Sequence, residues 1–277
     1  MAEAAAAVTE VTLTDRPVPW RAWWADVWSH REVFAILARK EFQTRYKRAS
    51  FGIVWAVAVP VLQGAVMAFV FSRVANERGG SDYGAYVMGG ILAWSYFTTT
   101  IGAATTSIVD GSGLADKVWF PRVLLAGVPA AANLVGLVIS MVVLVAIAPL
   151  LNVDLGLRLL LLAPACVLLV AFTTALGLVL SALHVYFRDT RFVVQAALLV
   201  WMWITPIVYR KSLLDDIGDW FDLNPMTGVV ALFQQAVAPG DEPWQTSVVI
   251  AIAVTVVLVV VGVAAQRRYD RLFVDQL

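Results

Sequence analysis

Charge is scarce in this sequence. Asp, Glu, Lys and Arg make up 14% of its 277 residues, where a soluble domain carries about a quarter. The chain is 60% hydrophobic and its mean hydropathy is +0.78. That much apolar surface cannot be hidden in water, so lipid is part of the solvent. An excess of one sign is missing as well. The 20 basic and 20 acidic residues cancel, which removes the basic footprint of a nucleic-acid binder. The single cysteine, Cys166, sits in an apolar run, so a disulfide framework is excluded and a small buried core residue is expected. His30 and His184 are the only histidines and neither has a metal-ligand neighbour at useful spacing, which argues against zinc. No lysine follows a glycine, so there is no GxxxxGK[ST] loop to cradle a nucleotide phosphate. The predicted spans hold no carboxylate pair, which disfavours an ion-driven transporter. A catalytic constellation is also missing, which disfavours a lipid-modifying transferase. No positive start leads into an apolar core at the N-terminus, so no cleavable signal peptide is expected.

What is present is long apolar runs. Six spans are predicted, at roughly 51–72, 85–108, 122–150, 156–183, 192–209 and 247–265. Most reach the ~20 residues that cross a ~30 Å hydrocarbon core at about 1.5 Å per residue. The third is long enough to tilt or to break at Pro129. Only helices and closed barrels satisfy the backbone in lipid, and nothing alternates like a barrel strand. The predicted class is therefore an all-α polytopic membrane protein. It has six transmembrane helices, an N-terminal amphipathic interface helix, and short re-entrant or gate helices between spans five and six. Residues 1–19 read as a disordered cytoplasmic tail, 20–50 as interface helix and elbow, 51–265 as the transmembrane domain with an outer segment at 210–246, and 266–277 as a cytoplasmic tail.

Lys and Arg set the orientation. With the N-terminus inside, 15 fall on the cytoplasmic side, and Arg73, Arg78, Arg158, Arg210 and Lys211 are the 5 outside. This bias predicts that both termini are cytoplasmic. Ahead of the first span, Trp20, Trp23, Trp24, Val27 and Trp28 follow helical spacing on one face. Four tryptophans there suit the headgroup layer, where the ring is half apolar and the N–H stays wet. The alternative is a soluble helix packing them on a partner. Ser29 with Glu32 forms a capping-box pattern that predicts the start of a second helix. In the outer segment, Val229, Val230, Phe233 and Val237 give an apolar face too short to span, read as re-entrant or interfacial.

Span interiors carry neutral polar and aromatic groups: Gln63 in the first, a run from Trp94 to Thr100 in the second, Asn133 in the third, and Gln195, Trp201, Trp203 and Thr205 in the fifth. Singly, such residues serve interhelical hydrogen bonds and interface belts. Together and without charge, they fit a path for something large and polar. Two short cytoplasmic loops, VDGSGLADKVWFPR (109–122) and HVYFRDTR (184–191), mix charges with aromatics, as either topology-fixing turns or docking surfaces would.

Four stretches in order resemble type-2 ABC transporter permeases of the polysaccharide-export kind. The first is 39–74, with Arg45, Tyr46, Lys47, Phe51, Gly52, Trp55 and Pro60 at the family's elbow and turn positions. The others are KVWFPR (117–122), YFRDTR with ITPIVY (186–191, 204–209), and LNPMTGVVALFQQAV (223–237). The resemblance implies a non-enzymatic half-transporter in a bacterial inner membrane. It would form a homodimer and bind two copies of a separate cytoplasmic ATPase. No cofactor is implied in this chain, since ATP and Mg would sit on the partner. The substrate implied is a lipid-linked polysaccharide of O-antigen, teichoic acid or cell-wall galactan type. Ala/Val/Trp-rich usage points to a GC-rich bacterium and so toward a galactan-like polymer. A drug, lipid or antibiotic efflux permease of the same class is the alternative.

By resemblance, ATPase coupling falls to Arg39, Lys40, Arg45, Tyr46, Lys47 and Arg48 in the elbow, Lys117, Trp119, Phe120 and Arg122 in the first loop, and Arg188 and Asp189 in the second. Channel lining is assigned to Trp55, Gln63, Trp94, Tyr96, Phe97, Trp201 and Trp203, and the outer gate to Asn224, Pro225, Phe233 and Gln234.

Overall fold

A computed structural model describes residues 19–47, 50–74, 82–115, 119–151, 153, 156–211, 218, 220–240 and 243–269. Among these residues every regular element is helical: α1 (Trp20–Ser29), α2 (Arg31–Tyr46), α3 (Val54–Val74), α4 (Tyr83–Asp110), α5 (Ser112–Ala115), α6 (Val123–Ile147), α7 (Leu162–Tyr186), α8 (Thr190–Ile204), α9 (Pro225–Val237) and α10 (Gln245–Tyr269). Of the expected tails 1–19 and 266–277, residues 1–18 and 270–277 lie outside the described residues, as do Arg48 and Lys117, while 266–269 continue α10.

Among the described residues four stretches are long and apolar enough to cross a membrane: Val54–Phe71, Val123–Ile147, Leu157–Tyr186 and Gln245–Arg268. The other two expected spans take different forms. α4 has 28 residues, about 42 Å at the helical rise, but its Gly, Ser and Thr make it less apolar. It is the central helix, with α3, α6, α7, α8 and α9 packed around it. Several of its polar groups are satisfied inside the bundle: Thr105 and Ser107 return hydroxyl protons to the carbonyls of Ile101 and Ala104 in the same helix, and Thr100 accepts from Asn133 on α6. α8 is apolar but has 15 residues, about 22 Å. The chain leaves the helix at Thr205, four residues before the predicted end of that span.

Pro129 lies inside α6 and Pro60 inside α3, and both helices run through them. The break considered at Pro129 is not seen. Between α2 and α3 the chain turns at Gly52, whose φ of +51° is the left-handed region where a side chain is strained.

Two N-terminal expectations change in detail. His30, not Ser29, is the N-cap of α2, and no side chain caps it. Ser29 Oγ instead donates to the Asp26 carbonyl at 2.7 Å, finishing α1. The tryptophan stripe also divides. Trp23 is buried against Ala126, Leu178 and Val263, while Trp20, Trp24 and Trp28 stay exposed. α1 is thus pinned to α6, α7 and α10 by the Trp23 ring, Trp20 lies under the Arg267 guanidinium of α10 at 4.1 Å, and Trp24 and Trp28 point outward.

α9 is the least free of the short helices. Met226, Val229, Val230 and Phe233 are wholly buried, and the helix packs on α4, α7 and α10. The apolar face read from the sequence closes the core of the bundle.

Candidate functional site

Three sequence-distant segments meet at one end of the bundle. Val27, Val33, Phe34 and Leu37 of the α1–α2 elbow pack on Phe120, Leu124 and Leu125, and on Ile108, Ala182 and Val185 at the ends of α4 and α7. The His30 and Trp119 rings meet edge to face at 5.6 Å. Phe120 and Arg122 are buried beneath this surface. Arg39, Lys40, Lys47, Trp119, Arg188 and Asp189, in the same three segments, are exposed. The three coupling segments named from the sequence therefore form one composite patch, which the spacing alone could not reveal.

Arg45 turns inward from this end. Its guanidinium donates to Asn133 Oδ1 on α6 and pairs with Glu41 one turn back at 3.2 Å. Asn133 Nδ2 donates in turn to Thr100 Oγ1 on α4 at 2.9 Å. One arginine thus ties the elbow to the two central helices. Beside this chain of bonds opens a cleft of about 180 Å³ between α3, α4 and α6, lined by Tyr46, Trp55, Tyr96 and Asn133 among others.

The remaining aromatics divide between core and surface. Phe97 is wholly buried, stacked on Phe172 at 5.8 Å and meeting Trp201 edge to face at 5.3 Å. Trp94, also buried, packs on Phe97 at 5.3 Å. These rings hold α8 and α7 on α4, and neither Trp94 nor Phe97 offers a surface within this chain. Tyr96 is buried, donates to the Ala130 carbonyl at 3.0 Å and borders the cleft. Trp55 and Trp203 are exposed, and Gln63 is half-buried.

At the opposite end Asn224 is a hub. Its Oδ1 caps α9 by accepting from Met226 N and also accepts from Trp201 Nε1 at 2.8 Å, while its Nδ2 donates to Thr205 Oγ1 at 3.0 Å. Pro225 takes the first helical turn, where its missing N–H costs nothing. Gln234 Nε2 donates to the Pro206 carbonyl at 3.0 Å, and Phe233 fills the core. The sequence did not single out the pair that closes this end: Lys211 Nζ meets Asp222 Oδ1 at 2.6 Å, and Ser247 Oγ donates to the same oxygen at 2.5 Å. The acidic crowding of the outer loop was the available signal. Asn224→Ala removes the cap and both cross-links to α8. A lost cap alone costs about 1 kcal/mol, so thermal unfolding of the purified protein should shift down by several degrees. An unchanged transition would show that the hub carries no strain between α8 and α9.

Residues 32–237 match the family model for ABC-2 type transporters. The chain belongs to that family, whose members are transmembrane subunits of transporters. It is 27% identical over 232 residues to an O-antigen export system permease protein, RfbA, of Myxococcus xanthus, covering 79% of this chain and 86% of that one. It is 21% identical over 212 residues to an O-antigen export system permease protein RfbA of Klebsiella pneumoniae, covering 74% and 79%. A further Klebsiella pneumoniae protein of that name is 22% identical over 207 residues, covering 72% and 77%.

Proposed function

We propose that this protein is the permease subunit of an ATP-driven exporter that moves a lipid-linked polysaccharide from the cytoplasmic to the outer face of the bacterial inner membrane. The observation that carries this is the likeness to three O-antigen export permeases across most of both chains. In this reading two copies form the path between them, with six spans each and both termini inside. Two ATPase subunits holding ATP and Mg dock on the patch where the elbow, Trp119 and the Arg188–Asp189 turn converge. Nucleotide-driven closure of those subunits pushes the elbow. Arg45 passes the push to α4 and α6 through Asn133 and Thr100. The exposed apolar faces of α3 and α8, with Trp55 and Trp203 on them, are the surfaces that part. Asn224 and Gln234 hold the outer segment against α8. The polymer class includes O-antigen, teichoic acid and galactan types.

Depletion of the protein in its host tests this. Lipid-linked glycan should build up inside and its surface form should fall in step. Unchanged surface glycan with no internal build-up would refute polysaccharide export.

A further inference from the structure

The cleft between α3, α4 and α6 has a lining unlike the apolar surface around it. Its apolar side is Leu92, Leu137 and Pro60; its polar side is the hydroxyls of Ser95, Thr99 and Ser140 and the amide of Asn133. Tyr46 and Trp55 stand at its edge and Tyr96 at its back wall. Thr99 is exposed and Ser95 half-buried, so hydroxyls face an opening at the middle of α4. Facing hydrocarbon tails, such groups gain nothing and lose the hydrogen bonds water would give. Among the described residues no carboxylate or ammonium lines the cleft, and the nearby Arg45 guanidinium is occupied by Glu41 and Asn133. An ion or a phosphate therefore finds no counter-charge among these residues. What fits is a neutral ring bearing hydroxyls. Its equatorial oxygens exchange hydrogen bonds with Ser95, Thr99, Ser140 and Asn133, and its C–H face lies against the electron-rich face of an aromatic ring.

We infer that this cleft is a subsite for a single sugar ring, entered from the side of the bundle. The inference rests on the polysaccharide-export reading and adds a site to it. Because Asn133 lines the cleft and also accepts from Arg45, a bound ring touches the same residue that ties the elbow to α6.

The test places a cysteine at the opening, Thr99→Cys in a Cys166→Ala background. The full assembly is purified from native membranes and held in lipid nanodiscs. The rate of maleimide labelling is read with octyl β-glucoside, octyl β-galactoside, the corresponding methyl glycosides, or an eight-carbon polyether detergent lacking sugar. A sugar subsite predicts that an octyl glycoside slows labelling at least threefold while the polyether does not. Equal protection by methyl glycosides would assign the site to sugar itself; protection by octyl glycosides alone would assign it to lipid-linked sugar. Equal slowing by the polyether, marking a slot for acyl tails, or no slowing by any glycoside would overturn the inference. As a second readout, Thr99→Trp fills the cleft and should reduce surface glycan at least tenfold with assembly intact. Val256→Trp, on the exposed face of α10, should not. If depletion causes internal glycan to accumulate but Thr99→Cys is unprotected and Thr99→Trp exports normally, the subsite fails and polysaccharide export stands. If depletion causes no accumulation, the export reading itself fails.

Discussion

Gly228→Ala is expected to unseat α10 from α9. A Cβ at this position would lie 2.2 Å from the Ser247 carbonyl oxygen, 2.5 Å from its carbon and 2.8 Å from Val248 N. All three are backbone atoms, so no side chain can swing aside, and the two helices must separate. Ser247 also donates to Asp222, which holds Lys211, so the movement reaches the pair closing the outer end. Overpacking of this kind costs about 3 kcal/mol. For a chain of this size that is a fall of roughly 5–10 °C in Tm, with a matching loss of properly inserted protein. Gly102→Ala is the contrast. Its Cβ would meet nothing within 4 Å, and alanine is the better helix former by roughly 1 kcal/mol, so Tm should hold or rise slightly. Equal behaviour of the two variants in thermal unfolding would show that α9 and α10 do not cross as closely as described.

The second large effect falls on the elbow. Arg45→Glu places a second carboxylate one turn from Glu41 and withdraws the donor from Asn133 Oδ1. Hydrogen bonds to charged groups contribute about 1.5–3 kcal/mol, and like charges at this spacing oppose the helix. The expected result is insertion near wild-type level, weakened assembly or ATP hydrolysis no longer linked to transport, and surface glycan down more than tenfold. Asn133→Leu should reproduce the defect from the other side of the bond. In a double-mutant cycle the two changes should cost less together than the sum of each alone. Wild-type export by Arg45→Glu would remove this arginine from the coupling path.

Much of this architecture is legible in the sequence because apolar length is a direct physical requirement of lipid. The first, third, fourth and sixth spans fall within a few residues of α3, α6, α7 and α10. The central helix α4 was found by length although its Thr and Ser make it less apolar. Where the sequence reading fell short, the cause is tertiary. Helical spacing put four tryptophans on one face, but only packing on Leu178 and Val263 distinguishes Trp23 from the rest. The apolar face of α9 was visible, whereas its burial depends on α4, α7 and α10 closing round it. Phe97 and Trp94 read as pathway aromatics because burial and channel lining leave the same trace in a sequence. Arg45 and Asn133 were each singled out, but 88 residues separate them and no local pattern joins the two.

Under the proposed function this chain moves a lipid-linked polysaccharide only when an ATPase partner drives it. The most direct measurement purifies the chain from native membranes with its stoichiometric companions, reconstitutes them in liposomes, and follows lipid-linked glycan across the bilayer with and without ATP. The account predicts a companion with a phosphate-binding loop in equal copy number, and glycan crossing only when ATP is hydrolysed. A chain that purifies alone and moves glycan without ATP would contradict it.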